Sequence, residues 1–463
     1  MAVLENIVVG RDQDDLAKFS DKGTAFIGMH IVGEGEESKL TNAVLMDVIK
    51  PHVVLIVGKR GTGKSYSGAV IAEEMALLPK EIRENLSVLM IDTMGIFWSM
   101  KNPNEKGRSL LREWKRPETS YDIEGKTETD KSVSSKAAGV QQSKKILEPM
   151  GLPAKLFVPK AYVKTYKDSG VDVDYTLTLP CGELSASDWI VTFGFMSIDS
   201  HGIAIERAIK QARIKYGTKY DLSDIIRIID LDKRTEPIIK EALMNRFEAA
   251  QEWGVFEKEG TPISDLFQSG TVSVIDVSHY MRVSGGWNVR SLLVGLLSRR
   301  IFMERLMARK SEEFESMTGE KKKKVPMVWL MIDEAHQFVG NSEITAATDP
   351  LLTLIKEGRE PGISVLLITQ RPGKLHEDVL AQADLIISHR LTSRSDLEAL
   401  RSIMQTYMME DIHDYINSLP RNKGSAIILD DNSEKIFSVQ VRPRLSWHAG
   451  GSPSAIKEKT VFG

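Results

Sequence analysis

The chain has 463 residues, 42% of them hydrophobic and 27% charged, with a formal net charge of −3. That length exceeds one compact core and predicts two or three modules. The acidic balance excludes a wholly basic nucleic-acid binder, and no apolar run approaches the roughly 18 residues of a membrane span.

Cys181 is the one cysteine, so an intramolecular disulfide is excluded. A small core residue in a reducing cytosol is the expectation for it. The first residues lack a signal-peptide pattern, so a cytoplasmic chain with no membrane contact is expected.

The first 50 residues hold a charged opening, Arg11 to Asp21, and short strand-like pieces at Thr24 to Val32 and Ala43 to Val48. Val53 to Val57 then forms an apolar run that predicts a buried strand. It leads into Gly58-Lys59-Arg60-Gly61-Thr62-Gly63-Lys64-Ser65, and Tyr66 to Leu78 follows with apolar residues at helical spacing. A glycine-rich turn between strand and helix bares backbone N–H groups, which with the helix N-terminus hold phosphates. In this pattern Lys64 reaches the β- and γ-phosphates and the Ser65 hydroxyl ligates Mg²⁺. A chance glycine-rich turn is the alternative, and the flanking strand and helix weigh against it. The nucleotide-binding set is thus Gly58 to Tyr66, with ATP and Mg²⁺ as cofactors.

The strand Val88 to Ile91 ends in Asp92-Thr93-Met94-Gly95, where a core-edge role for Asp92 is favoured over a catalytic one. Met100 to Met150 is polar and charged and reads as a mobile loop or insertion. Ser185 to Trp253 is mostly helical by its apolar spacing, and Lys210, Arg213 and Lys215 read as a solvated helix face. Thr271 to Val277 returns to the sheet with Asp276 near its end. Met281 to Arg290 reads as a glycine-containing loop, suited to a lumen or interface. Trp287 to Lys310 reads as a helix carrying Arg290, Arg299, Arg300, Arg305 and Arg309. The lysine run Lys321 to Lys324 reads as a solvated loop before a DNA contact.

Met327 to Ile332 is an apolar strand ending in Asp333-Glu334-Ala335-His336. An Asp at such a tip can hold Mg²⁺ through water, and the adjacent Glu can polarise an attacking water. A lone Asp-Glu pair would as readily be a solvated helix start. Downstream of a phosphate loop the functional reading prevails. Ile363 to Ile368, another buried strand, ends in Thr369-Gln370-Arg371-Pro372, which places a polar group beside the γ-phosphate. Arg359, in the turn before that strand, is either a surface residue or a guanidinium offered to the nucleotide site of a neighbouring subunit. The chain closes with strands Ser425 to Leu429 and Ile436 to Arg442, then a proline- and glycine-containing tail expected to lie extended.

The set GKRGTGKS, VWLMIDEAH, KEGREPGISVLLITQRPGKL and VRPRLSWHAG resembles the HerA family, hexameric DNA translocases of the HerA/FtsK branch of P-loop ATPases. The resemblance spans roughly residues 25 to 452. It implies an α/β, RecA-like core with a mostly parallel sheet, a helical insertion and a short N-terminal β region. It implies Lys64, Glu334, Arg359 and Gln370 as catalytic, Arg359 acting in trans, with Ser65 and Asp333 on the metal. It also implies a homo-hexamer around duplex DNA, a nuclease or effector partner, and a tail bracing the neighbouring subunit. Family members often begin with a β-barrel of about a hundred residues, and here it must be reduced.

The expected layout is a β region over 1–50, core over 51–160 with a loop at about 101–150, a helical insertion over 161–265, core over 266–445 and a tail over 446–463. The expected function is ATP-driven, sequence-independent DNA translocation in end processing or anti-phage defence. A nucleotide-dependent ring scaffold for an effector is the alternative, and a conjugation-type or packaging ATPase is a third reading. DNA contacts are expected among Met281 to Arg290, Phe338 to Thr348 and the helix near Lys210.

Overall fold

Val53–Val57 carries no polar residue because a parallel strand covered by helices on both sides has no wet face. The computed structural model describes residues 6–33, 35–119, 146–283, 285–319, 324–403 and 412–451. In it the side chains of this strand split by parity. Leu55 and Val57 join one hydrophobic cluster, and Val54 and Ile56 join the other. Each buried Val, Leu or Ile contributes about 1.5–3 kcal/mol, so the central strands stabilise the core from both faces of the sheet.

The strands, in chain order, are β1 (Ile7–Val9), β2 (Thr24–Val32), β3 (Lys39–Asp47), β4 (Val53–Val57), β5 (Leu86–Asp92), β6 (Ala154–Pro159), β7 (Tyr175–Leu177), β8 (Leu179–Pro180), β9 (Phe256–Glu257), β10 (Val272–Asp276), β11 (Met327–Ile332), β12 (Ile363–Thr369), β13 (Leu385–His389), β14 (Ser425–Asp430) and β15 (Lys435–Val441). All but β8 and β9 lie in one sheet, in the order β1-β3-β2-β15-β14-β13-β4-β12-β11-β5-β10-β6-β7. From β13 to β7 every neighbouring pair is parallel. From β13 back to β3 the pairs are antiparallel. The mostly parallel α/β architecture expected from the sequence is therefore present. The N-terminal strands extend that sheet through β15 and β2.

Helix Lys64–Leu77 packs on one face of the sheet through Ala69, Val70, Ala72 and Met75. The other face is covered by the helices Ala186–Phe193, Ser200–Tyr216, Leu222–Leu231 and Pro237–Gln251, and by the long helix Gly286–Thr318. The first of these starts cleanly because Ser185 and Asp188 cap each other's backbone.

One expectation changes. The segment 281–290 is not a loop throughout. Gly285, at φ 70°, turns the chain and the helix begins at Gly286, so Arg290 lies inside it and is 5% exposed. Three of the other helix arginines are tied to their own chain. Arg299 makes a two-pronged pair with Asp188 (2.7 and 2.8 Å), Arg300 meets Glu183 at 3.2 Å, and Arg305 donates to the Pro361 carbonyl at 2.8 Å. The start of the tail packs on its own chain: Leu445 N–H and Ser446 N–H both donate to Glu73, each at 3.0 Å. Lys321 to Lys323, most of the 101–150 loop and the tail from Ser452 lie outside the described residues. Lys210, Arg213 and Lys215 sit on an exposed helix face, and buried Cys181 belongs to the main core cluster. Among the described residues no helix is long and apolar enough to cross a membrane.

Candidate active site

The C-terminal ends of β4, β12, β11 and β5 lie side by side, so the chain segments leaving them share one edge of the sheet. Gly58 to Ser65 leaves β4. Its glycines adopt backbone that side chains disfavour: φ is 153° at Gly58, 82° at Gly61 and 114° at Gly63. A Cβ on Gly58 would sit 2.6 Å from the His389 Cβ, so a side chain there would push the loop off β13. Lys59 N–H donates to the Arg390 carbonyl at 3.0 Å, and Gly424 N–H donates to the Thr62 carbonyl at 3.2 Å. Arg60 is exposed at the loop tip. Lys64 folds back to donate to the Lys59 carbonyl at 3.1 Å, and burial pushes its ammonium pKa down against the pull of Glu334 and Asp333.

The Ser65 hydroxyl donates to Asp333 Oδ2 at 3.0 Å, joining the first turn of helix Lys64–Leu77 to the end of β11 across 268 positions. Burial raises the Asp333 pKa, opposed by that hydrogen bond and by the Glu334 N–H. One hydroxyl and one carboxylate oxygen suit a hard cation that keeps most of its waters and takes further ligands from phosphate, the usual habit of Mg²⁺. Among the described residues no group of three or more His, Cys, Asp or Glu forms an all-protein metal cage.

Glu334 adopts a left-handed backbone, φ 51° and ψ 45°, fixed by its N–H donating to Asp333 Oδ1 at 2.9 Å. Such a non-glycine residue costs on the order of 1 kcal/mol, a strain that clusters at working sites. It turns the carboxylate toward Gln370, whose side-chain amide lies 3.4 Å from both carboxylate oxygens. Burial, then the charge of Asp333, raises the Glu334 pKa to about 6.

Arg359 is exposed and is not brought to this edge. It precedes β12, whereas Gln370 follows it, so six residue steps of about 3.3 Å place it roughly 20 Å from its own phosphate loop. The Tyr66 hydroxyl accepts the Arg444 N–H at 2.6 Å. Asp92 takes four backbone N–H groups, from Met94, Gly95, Ile96 and Phe97, at 2.7 to 3.1 Å. Those bonds give it the structural role expected.

Three site residues escaped sequence reasoning. His336 Nδ1 lies 3.0 Å from the Thr369 hydroxyl and 3.4 Å from Glu334, and burial drops its pKa to about 4. The Arg371 charge opposes the rise in the Glu334 pKa, and its place directly after Gln370 was the available signal. His389 is fully buried beneath the loop. Its Nδ1 lies 3.1 Å from the Ser425 carbonyl, which only accepts, so Nδ1 carries the proton and Nε2 accepts from the Ser67 hydroxyl at 2.9 Å. Burial also drops the His389 pKa to about 4.

Residues 27–301 match the family described as "Helicase HerA, central domain", and residues 274–433 match "Helicase HerA-like C-terminal". The chain is 27% identical over 172 residues to the DNA double-strand break repair helicase HerA of Pyrococcus furiosus, covering 35% of this chain and 31% of that protein. It is 25% identical over 192 residues to the protein of the same name from Saccharolobus solfataricus, covering 41% of this chain and 35% of that protein. Each match spans about a third of the relative's length. VirB4 of Thermoanaerobacter pseudethanolicus shares the fold, with a TM-score of 0.52 at 12% identity over 90% of this chain and 97% of that one.

Proposed function

The chain belongs to the HerA helicase family of P-loop ATPases, and from that premise we propose that it hydrolyses ATP to move along duplex DNA as a homo-hexameric ring. The observation that carries the reading is the meeting of Ser65 with Asp333 at 3.0 Å while Glu334 and Gln370 face each other beside the loop. In this reading Lys64 exchanges the Lys59 carbonyl for β- and γ-phosphate oxygens. Ser65 and Asp333 hold Mg²⁺, which when bound neutralises phosphate charge. Glu334 orients and deprotonates the attacking water, and Gln370 contacts the γ-phosphate. Arg359, remote from its own loop and exposed, serves the site of a neighbouring subunit.

The proposed division of the chain is the one expected from the sequence. The N-terminal region and the tail frame a two-part core, with a helical insertion between the parts. DNA contacts are assigned to Met281 to Arg290, Phe338 to Thr348 and the helix near Lys210; the first two segments adjoin where Trp287 stacks on Phe338 at 6.4 Å. Such contacts read phosphates and carry no base information. A nuclease or other effector partner, a role in end processing or anti-phage defence, and a cytoplasmic setting complete the proposal.

The test is a pair of variants. Glu334→Gln is expected to bind ATP as wild type does and to lose turnover by at least about a hundredfold, the scale of a lost general base. Lys64→Ala is expected to lose binding itself. Wild-type turnover in Glu334→Gln would overturn the assignment.

A further inference from the structure

We propose that His448, packed on Tyr66, forms the subsite for the nucleobase of the bound nucleoside triphosphate. This rests on the phosphate-loop reading above and extends it to the other end of the ligand. Glu334 and Gln370 mark where the γ-phosphate lies. The nucleoside must therefore leave from the opposite end of the loop, over the first turn of helix Lys64–Leu77. The residue after Ser65 on that turn is Tyr66.

Tyr66 does not stand alone there. The His448 ring meets it edge-on, with centroids 5.3 Å apart and planes at 80°, and the Arg444 guanidinium lies 5.8 Å from its centroid. Tyr66 and His448 are both partly exposed, so the aromatic corner is not sealed in the core. A base has a π-face, and a ring held at a fixed angle is a stacking platform for it.

The platform is held rigidly. Glu73, two helical turns beyond Tyr66, is fully buried and binds the C-terminal segment through Arg442 Nη1 at 2.9 Å, Arg444 Nε at 3.3 Å, the Leu445 and Ser446 N–H groups and the Ser446 hydroxyl at 2.6 Å. Trp447 N–H donates to the Asn102 carbonyl at 2.7 Å, which pins the residue before His448 to the segment after β5. Together these bonds fix His448 relative to the first turn of the phosphate-binding helix.

The protonation of His448 favours a base over a phosphate as its ligand. Arg444 Nη1 lies 3.3 Å from His448 Nδ1, and a guanidinium only donates, so Nδ1 accepts and the proton is on Nε2. Burial and the Arg444 charge drop the His448 pKa to about 4. The ring is neutral at pH 7 and offers a flat face and one N–H.

Calorimetric titration of the full chain with Mg²⁺–ATPγS and with Mg²⁺–tripolyphosphate, which lacks a nucleoside, tests the proposal. His448→Ala is expected to weaken ATPγS by about tenfold, the scale of one lost stacking contact, and to leave tripolyphosphate unchanged. His448→Phe, which keeps an aromatic face, is expected to restore most of the ATPγS affinity. Unchanged ATPγS affinity in His448→Ala, or equal weakening of both ligands, would overturn the subsite. Lys64→Ala is expected to lose both ligands. If it holds both, or if wild type binds neither, the phosphate-loop reading itself fails and the subsite with it.

Discussion

The side-chain amide of Gln370 lies 3.4 Å from both carboxylate oxygens of Glu334. The two residues leave neighbouring strands β12 and β11, and the strained backbone of Glu334 aims one at the other. A γ-phosphate arriving between them would take the amide from the carboxylate. Glu334 would then be free to act on water only when nucleotide is in place.

The pH dependence of turnover follows from that site. Burial first, and then Asp333, raise the Glu334 pKa to about 6. A carboxylate that must be ionised to accept a proton loses activity as pH falls through its pKa. Turnover is expected to be flat above about pH 7 and to fall about tenfold per unit below 6. Measured kcat against pH checks this, and an acid limb near the ordinary glutamate value of about 4.3 would contradict it.

Arg359 gives a prediction about subunit exchange. Because it stands at the far end of β12 from Gln370, Arg359→Ala should bind ATP normally and hydrolyse it at least about tenfold more slowly. Mixing it with Glu334→Gln subunits should recover part of the activity, since some interfaces then pair an intact Glu334 with an intact Arg359. Absence of recovery in rings that exchange subunits would return Arg359 to an ordinary surface turn.

His52 predicts how stability depends on pH. Burial alone would lower its pKa, but hydrogen bonds to Asp384 (2.7 Å) and Asp47 (3.0 Å) outweigh it and raise the pKa to about 9. Protonated His52 therefore stabilises the fold fully below about pH 6.5, its unfolded value, and the contribution is lost as pH rises through 9. Denaturant titrations are expected to show a loss on the order of 3 kcal/mol across that window. His52→Gln should flatten the slope, and an equal slope in both proteins would count against the pairing.

The buried Glu73 cluster should be intolerant of half-removal. Glu73→Ala leaves Arg442 and Arg444, both fully buried, short of a carboxylate. A loss of about 3–5 kcal/mol is expected. A change below about 1 kcal/mol by thermal or denaturant unfolding would show that Glu74, 2.7 Å from Arg442, suffices alone.

The parts of the site that were legible in the sequence are those whose chemistry is local. A strand, a glycine turn and a helix in immediate succession announce Gly58 to Ser65. Asp333 and Gln370 were legible because each ends an apolar run. The partners of Tyr66 were not, because its contacts come from Arg444 and His448, more than 370 positions away, through a segment with no period to mark it. His389 was missed because Leu385–His389 is a short apolar run that periodicity cannot separate from a buried helix segment. The start of the helix at Gly286 was blurred by two successive glycines, only the first of which serves as the turn.

In the proposed function, ATP hydrolysis drives movement along DNA. Steady-state ATP hydrolysis with and without duplexes of unrelated sequence, across a salt series, tests it most directly. Stimulation of several-fold or more is expected, alike for every duplex, falling steeply with salt because about 0.9 counterions leave per phosphate neutralised. An ATPase rate indifferent to duplex DNA at every salt concentration would contradict it and leave a nucleotide-dependent scaffold in its place.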